Sequence, residues 1–225
     1  MDYGKAFTFA FEDRNWVGKI LIGALFTLLS FFLIGLPFVM GYFLEVVRRV
    51  AAGRADVLPE WDRLGDKFAE GLIVTIILII LAIPMTLFSC LWSVLGPALD
   101  QAGPRTGLLL LLLMLAAIGL FLLFALLYTV VTPAVIMRYA MTRSFGASLN
   151  PAAVWDVIRA HFGHYVLVII LSYVAAGIAF FGVILCLIGV LATLFWAYLV
   201  QAHLYGQYYR NFVSAPPASP VPAAV

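Results

Sequence analysis

The sequence predicts an all-α fold, a polytopic integral membrane helical bundle. It reads as about six membrane segments arranged as three hairpins, each preceded by an amphipathic interfacial lead. Three observations predict this. The 225 residues are 65% hydrophobic and only 11% charged, whereas soluble domains run about 45–50% apolar and about 25% charged. The mean hydropathy is +1.10, which excludes a soluble or a disordered chain, because a soluble domain of this length cannot hide so much apolar surface. The charges lie outside four stretches that lack Asp, Glu, Lys and Arg: residues 20–44, 71–99, 106–137 and 161–209.

The elements follow in order. In the first lead, Tyr3, Phe7, Ala10 and Phe11 fall at helical spacing, and Trp16 reads as an interfacial anchor. Asp2, Glu12 and Asp13 precede the first apolar run and no small-residue cleavage site follows it, so this run is not expected to be a cleaved signal. Residues 20–44 admit either one tilted span or a short-armed hairpin broken at Gly35-Leu36-Pro37. Glu45, Arg48 and Arg49 close the second arm, and their side chains can snorkel to the headgroups.

The second lead reads Leu58-Pro59-Glu60-Trp61-Asp62, with Leu58, Trp61, Leu64, Phe68 and Leu72 predicted to share one helix face. Residues 71–99 and 106–137 then read as one span each. Gly96, Pro97, Gly103 and Pro104 are expected to break helix between them, and Pro84 and Pro133 to kink or end their helices. The third lead opens on Asn150-Pro151, an N-cap followed by proline at the first helical position. Its predicted stripe is Trp155, Ile158, Phe162 and Tyr165. Residues 161–209 are long enough for two spans, with a turn bracketed by Gly182 and Gly189. Trp-Asp recurs in the second and third leads, a faint sign of a threefold lead-plus-hairpin repeat. Residues 1–212 read as one helical membrane domain, and the proline- and alanine-rich residues 213–225 as a disordered tail.

Charge placement decides the topology. On the hairpin reading, the N-terminal part, the two long polar connections and the C-terminal part share one side. That side holds twelve of the thirteen Lys and Arg residues, leaving Arg105 alone on the other. The single-span reading splits the same cations 4 to 9. The positive-inside rule therefore favours the hairpin, with both termini cytoplasmic in a cell inner (plasma) membrane.

The first third carries a recognisable pattern. Trp16 is followed by Lys19-Ile20-Leu21-Ile22-Gly23, then Gly41-Tyr42 with Glu45 and Arg48-Arg49. Gly53, Leu58-Pro59-Glu60-Trp61-Asp62, Gly65 and Gly71-Leu72 come next, and His203-Leu204-Tyr205-Gly206-Gln207 lies near the end. The pattern resembles domain-of-unknown-function family 4013, multi-pass membrane proteins of bacteria and archaea. The resemblance is strongest over residues 2–75. It implies a helical membrane protein of accessory or transport-like type, and carries no catalytic role.

Several residues merit a chemical reading. Glu45 directly follows the first apolar run. It reads either as a proton or cation site or as half of an i,i+4 pair with Arg49, and its interfacial position favours the pair. His161, His164 and His203 fall on one predicted side; a three-histidine metal site is chemically reasonable, but interfacial histidines are the preferred reading. Cys90 and Cys186 either pair or stay as free thiols, the latter preferred. The charged edge of residues 58–70 is either a docking site or an interfacial helix lying in lipid. Ala175, Ala179, Gly182 and Gly189 offer close helix packing.

No Walker loop, nucleophile elbow, zincin motif or dinucleotide fingerprint occurs in the sequence. No apolar stretch carries a central charge, which argues against proton pumping. The expectation is a non-enzymatic accessory or scaffold protein without a cofactor. Its partners are the lipid bilayer and a protein at the cytoplasmic leads, not nucleic acid. A small transporter for a neutral or lipid-like substrate is the alternative. The residues singled out for interaction are Trp16, Gly41, Tyr42, Glu45, Arg48, Arg49, Pro59, Glu60, Trp61, Asp62, Trp155 and His203.

Overall fold

The computed structural model describes residues 1–214, the side chains of residues 99, 100, 104, 105 and 185–188 excepted. The proposed disordered tail lies almost wholly outside the described residues. All regular structure among these residues is helical: α1 Tyr3–Thr8, α2 Trp16–Ser30, α3 Leu36–Ala51, α4 Leu64–Asp100, α5 Pro104–Thr142, α6 Phe145–Ser148, α7 Pro151–Ala160, α8 Phe162–Phe180 and α9 Cys186–Tyr208, with short 3-10 turns at Phe9–Glu12 and Phe181–Leu185. Among the described residues, three segments are long and apolar enough to cross a membrane: Leu64–Ala98, Thr106–Thr142 and Phe162–Ile184. Trp16–Ser30 is a shorter apolar helix.

Local chemistry sets the helix limits. The Asp2 carboxylate accepts the Lys5 N–H and caps α1. The Asn150 side chain accepts from Ala152 and Ala153 and caps α7, with Pro151 at the first position. Residues 20–44 do not form one helix: α2 ends at Ser30, and α3 begins after a turn at Leu36. Gly35 closes that turn by donating its N–H to the Leu29 carbonyl at 3.2 Å. A Cβ on Gly35 would lie 1.9 Å from the Phe26 carbonyl oxygen, so no larger residue fits this backbone.

Some expectations fail. Helix is not broken at Gly96 and Pro97, since α4 runs on to Asp100; of the two outcomes expected at Pro84 and Pro133, neither proline ends its helix. A proline removes one ladder bond, which a long apolar helix can absorb when neighbouring groups or local adjustments satisfy the freed carbonyl. Beside Pro133 an outside group serves a backbone donor: the Ala134 N–H donates to the Tyr165 hydroxyl at 3.1 Å. The second lead is not a separate interfacial helix: residues 58–63 are irregular, and helix starts at Leu64 as part of α4. The third stripe is also divided. Ile158 and Tyr165 are buried while Trp155 and Phe162 are exposed: the split already falls inside α7, and the backbone then breaks at His161 (φ −156°, ψ 75°) before α8 begins.

The chain forms two compact units. The first comprises Met1–Thr75 and the chain from Pro133 onward; the second is Ile76–Thr132. In the first, α9 is the central helix, packed by α2, α3 and α8. Tyr42, Tyr165, Tyr208 and Phe195 are fully buried there. Small residues permit the approach: Ala175 and Ala179 on α8 are buried, and the Thr193 hydroxyl of α9 donates to the Ala179 carbonyl at 2.8 Å. A Cβ on Gly206 would lie 2.7 Å from the Val47 carbonyl oxygen of α3. In the second unit, the rings of Phe88 and Phe121 meet at a tilt, 4.6 Å between centres. Leu109 and Leu126 are 69% and 61% exposed, which suits a lipid surround rather than water.

Candidate functional site

The strongest constellation is built around Leu58-Pro59-Glu60-Trp61-Asp62. This loop carries no secondary structure of its own, so its backbone polar groups need partners from elsewhere. Side chains of the surrounding helices provide them. The Lys19 ammonium of α2 donates to the Leu58 carbonyl at 3.2 Å. The Tyr42 hydroxyl of α3 donates to the Pro59 carbonyl at 2.8 Å. The Lys67 ammonium of α4 donates to the Asp62 carbonyl at 2.9 Å.

The two lysines are the unusual feature, being 5% and 4% exposed. A buried ammonium is tolerable only when charge and hydrogen bonds are both matched. Each has three acceptors, matching its three donors. Besides Leu58, Lys19 meets Asp13 at 2.7 Å and Glu60 at 2.8 Å. Lys67 meets Glu45 at 2.9 Å and the Asp62 carboxylate at 3.2 Å. Partial burial pushes the Asp13 carboxyl up, but the hydrogen bonds from Lys19 and the Asn15 N–H and the nearby ammonium outweigh it and hold it below its ordinary value. Asp62 is held down first by its hydrogen bond from Lys67, which outweighs desolvation.

Trp61 belongs to the same loop. Its ring stacks on Tyr42 at 4.3 Å and on Phe26 at 4.9 Å, and its Nε1–H donates to the Lys19 main-chain carbonyl at 2.9 Å. The expected lipid anchor is thus an internal wedge between α2 and α3. Pairwise glycines let α4 begin against α3. A Cβ on Gly41 would sit 1.9 Å from the Lys67 carbonyl oxygen, and one on Gly71 would sit 1.7 Å from the Pro37 carbonyl oxygen.

Other singled-out residues separate into distinct places. Glu45 pairs with Arg49 at 2.8 Å, the i,i+4 pair of the preferred reading, and also with Lys67. Arg48 pairs with Glu70. Trp16 is half-buried and meets Phe11 edge-on at 5.0 Å, and Trp155 is 58% exposed. His203 is buried, stacks on Phe9 at 4.4 Å and bonds the Gln207 side chain at 3.0 Å. Gln207 also accepts from the Asp2 N–H and donates to the Asp2 carbonyl, both at 2.8 Å. His161 and His164 face each other at 2.9 Å and pack on Phe212. Among the described residues no three metal-ligating groups converge. Cys90 is an exposed free thiol; Cys186, its suggested partner, has a side chain outside the described residues.

Sequence reasoning left Lys19 out of the site and read Lys67 as an exposed charge of residues 58–70, whereas the structure buries it. Their signal was their position, since Lys19 abuts an apolar run directly and Lys67 precedes one by four residues.

Fold and clasp together define the class: an all-helical protein with helices built for a membrane, whose polar loop is locked onto helix ends by buried cations. The chain belongs to the family described as "Protein of unknown function (DUF4013)", whose profile matches residues 24–197. No curated protein and no solved structure matches it.

Proposed function

We propose that this chain is a six-segment inner-membrane protein, three hairpins with both termini cytoplasmic, that acts as a non-enzymatic accessory or scaffold protein. One observation carries the functional reading. The clasp consumes its buried cations in fixing residues 58–62, and leaves the side chains of Glu60, Asp62 and Arg63 57–66% exposed. A rigid loop with an exposed charged rim suits recognition of a protein partner, because little ordering entropy remains to be lost on binding. The topology draws support from contacts among the four polar parts: Asp2 with Gln207, Lys19 with Glu60, and Arg143 with Glu70 at 3.5 Å.

The alternative, a carrier of a neutral or lipid-like molecule, has one observation in its favour. In the second unit a cavity of ≈ 370 Å³ is lined by Phe88, Ser89, Trp92, Ile118 and Phe121, a surface for an acyl chain rather than a charged solute.

Two measurements test these readings. Single cysteines at Ala55, Gln101 and Gly146, all exposed positions, should label from outside the cell only at Gln101. Labelling of Ala55 from outside would overturn the hairpin topology. Co-purification from native membranes in mild detergent should recover one specific protein. Recovery of a bound small molecule instead would favour the carrier.

A further inference from the structure

A second feature lies beside the clasp. A cavity of ≈ 550 Å³ opens between the C-terminal turns of α3, the first turns of α4 and the residue that follows α5. Its lining includes six cations: Arg48, Arg49, Arg54, Arg63, Lys67 and Arg143. Only three acids share that lining, Glu45, Asp66 and Glu70. The acids are divided among several cations. Glu45 serves Arg49 and Lys67, with Arg63 at the limit of contact at 4.0 Å. Glu70 serves both Arg48 and Arg143. Asp56 and Asp62, outside the lining, take part of the remaining charge of Arg54, Arg49, Arg63 and Lys67.

Three details point to a ligand. The Arg48 Nη1 is buried and has no acceptor, whereas buried donors are normally paired. Arg63 and Arg143 keep their side chains 66% and 64% exposed, so their guanidinium groups are available at the mouth. Both hold left-handed backbone, φ 43° and φ 50°, a conformation costly for a side chain without special local partners. The position is also informative. Glu70 is the last charge before residues 71–99, the apolar body of α4. A basic pocket at that depth lies where anionic headgroups concentrate.

We infer that this cavity is a binding site for a phosphate-bearing anion, held by Arg63 and Arg143 at the mouth with Arg48 behind them. The planar guanidinium fork suits phosphate oxygens in a bidentate arrangement. The phosphate can come from a lipid headgroup or from a free phosphate compound.

The test uses the full chain purified in a neutral maltoside detergent. Thermal unfolding and tryptophan fluorescence are followed on titration with short-chain phosphatidylglycerol, short-chain phosphatidylcholine and inorganic pyrophosphate. Phosphatidylglycerol or pyrophosphate should raise the unfolding temperature, with an affinity that falls as salt rises. Arg63→Gln/Arg143→Gln should weaken that binding about tenfold or more, equivalent to the loss of about 1.4 kcal/mol. Arg159→Gln, outside the cavity, should bind as the parent does. Binding by phosphatidylglycerol alone identifies a lipid site; equal binding by pyrophosphate identifies a free phosphate compound. The inference is overturned if neither anion binds, if phosphatidylcholine binds equally, or if the double variant, shown folded by its unliganded unfolding transition, binds undiminished.

Discussion

The Trp61 indole donates to the main-chain carbonyl of Lys19 at 2.9 Å, while the Lys19 ammonium reaches the Leu58 carbonyl at 3.2 Å. The two residues therefore tie loop to helix in both directions. Each bond satisfies a polar group that the surrounding aromatic rings would otherwise strand, and stranded buried groups are costly. The loop is thus fixed as a unit, and its pieces should fail together.

Removing the Lys19 charge should loosen that unit. Lys19→Met is expected to cost about 1–3 kcal/mol. The cost stays below that of a fully buried pair, because Glu60 is 66% exposed and can turn to water. Thermal unfolding in detergent measures it, and an unchanged transition would show that the ion pairs are idle.

Trp61 separates packing from hydrogen bonding. Trp61→Phe keeps a ring on Tyr42 and loses one hydrogen bond, about 1 kcal/mol. Trp61→Ala should cost about 2–4 kcal/mol, since the side chain is large but only half-buried. A double-mutant cycle with Tyr42→Leu should return coupling of about 0.5–1.5 kcal/mol. Additive effects would mean that the stacked rings do not support each other.

Gly41→Ala and Gly71→Ala should each cost about 3 kcal/mol or reduce the folded yield outright, because the added methyl meets main-chain atoms that cannot rotate away. Gly119→Ala, with nothing within 4 Å of its Cβ, should be neutral or stabilising by up to about 1 kcal/mol. Fluorescence-detected size exclusion after heating would rank the three. Equal behaviour would disprove the close crossing of α3 and α4.

Acid should open the clasp from its carboxylates. Asp13 and Asp62 both sit below their ordinary values when folded. Folding then releases protons, so their contribution is complete above the unfolded carboxylate value of about 3.9 and is lost as pH falls through the lowered folded values. The unfolding temperature should drop more steeply below about pH 4 in the parent than in Asp13→Asn/Asp62→Asn. Parallel profiles would remove these residues from the acid response.

Much was legible in the chain itself. Long charge-free runs forced apolar helices, and the Asn150-Pro151 start and the Gly35-Leu36-Pro37 turn were readable because capping and turn chemistry act within a few residues. The Glu45–Arg49 pair followed from helical spacing alone. The role of Trp61 was not legible, because an interfacial anchor and an internal wedge have the same local sequence. The break at His161 and the continuity of α4 through Pro97 likewise depended on neighbours rather than spacing.

By itself, then, the sequence determined the environment, the helical periodicity and the segregation of cations away from apolar runs, since these depend on composition and local order. Only the tertiary structure decided that Lys19 and Lys67 are buried, that their six acceptors come from residues 13, 45, 58, 60 and 62, and that six cations converge on one cavity. The reason is physical. Burying a cation requires partners from several helices at once, and no local pattern encodes which distant carbonyl or carboxylate will arrive.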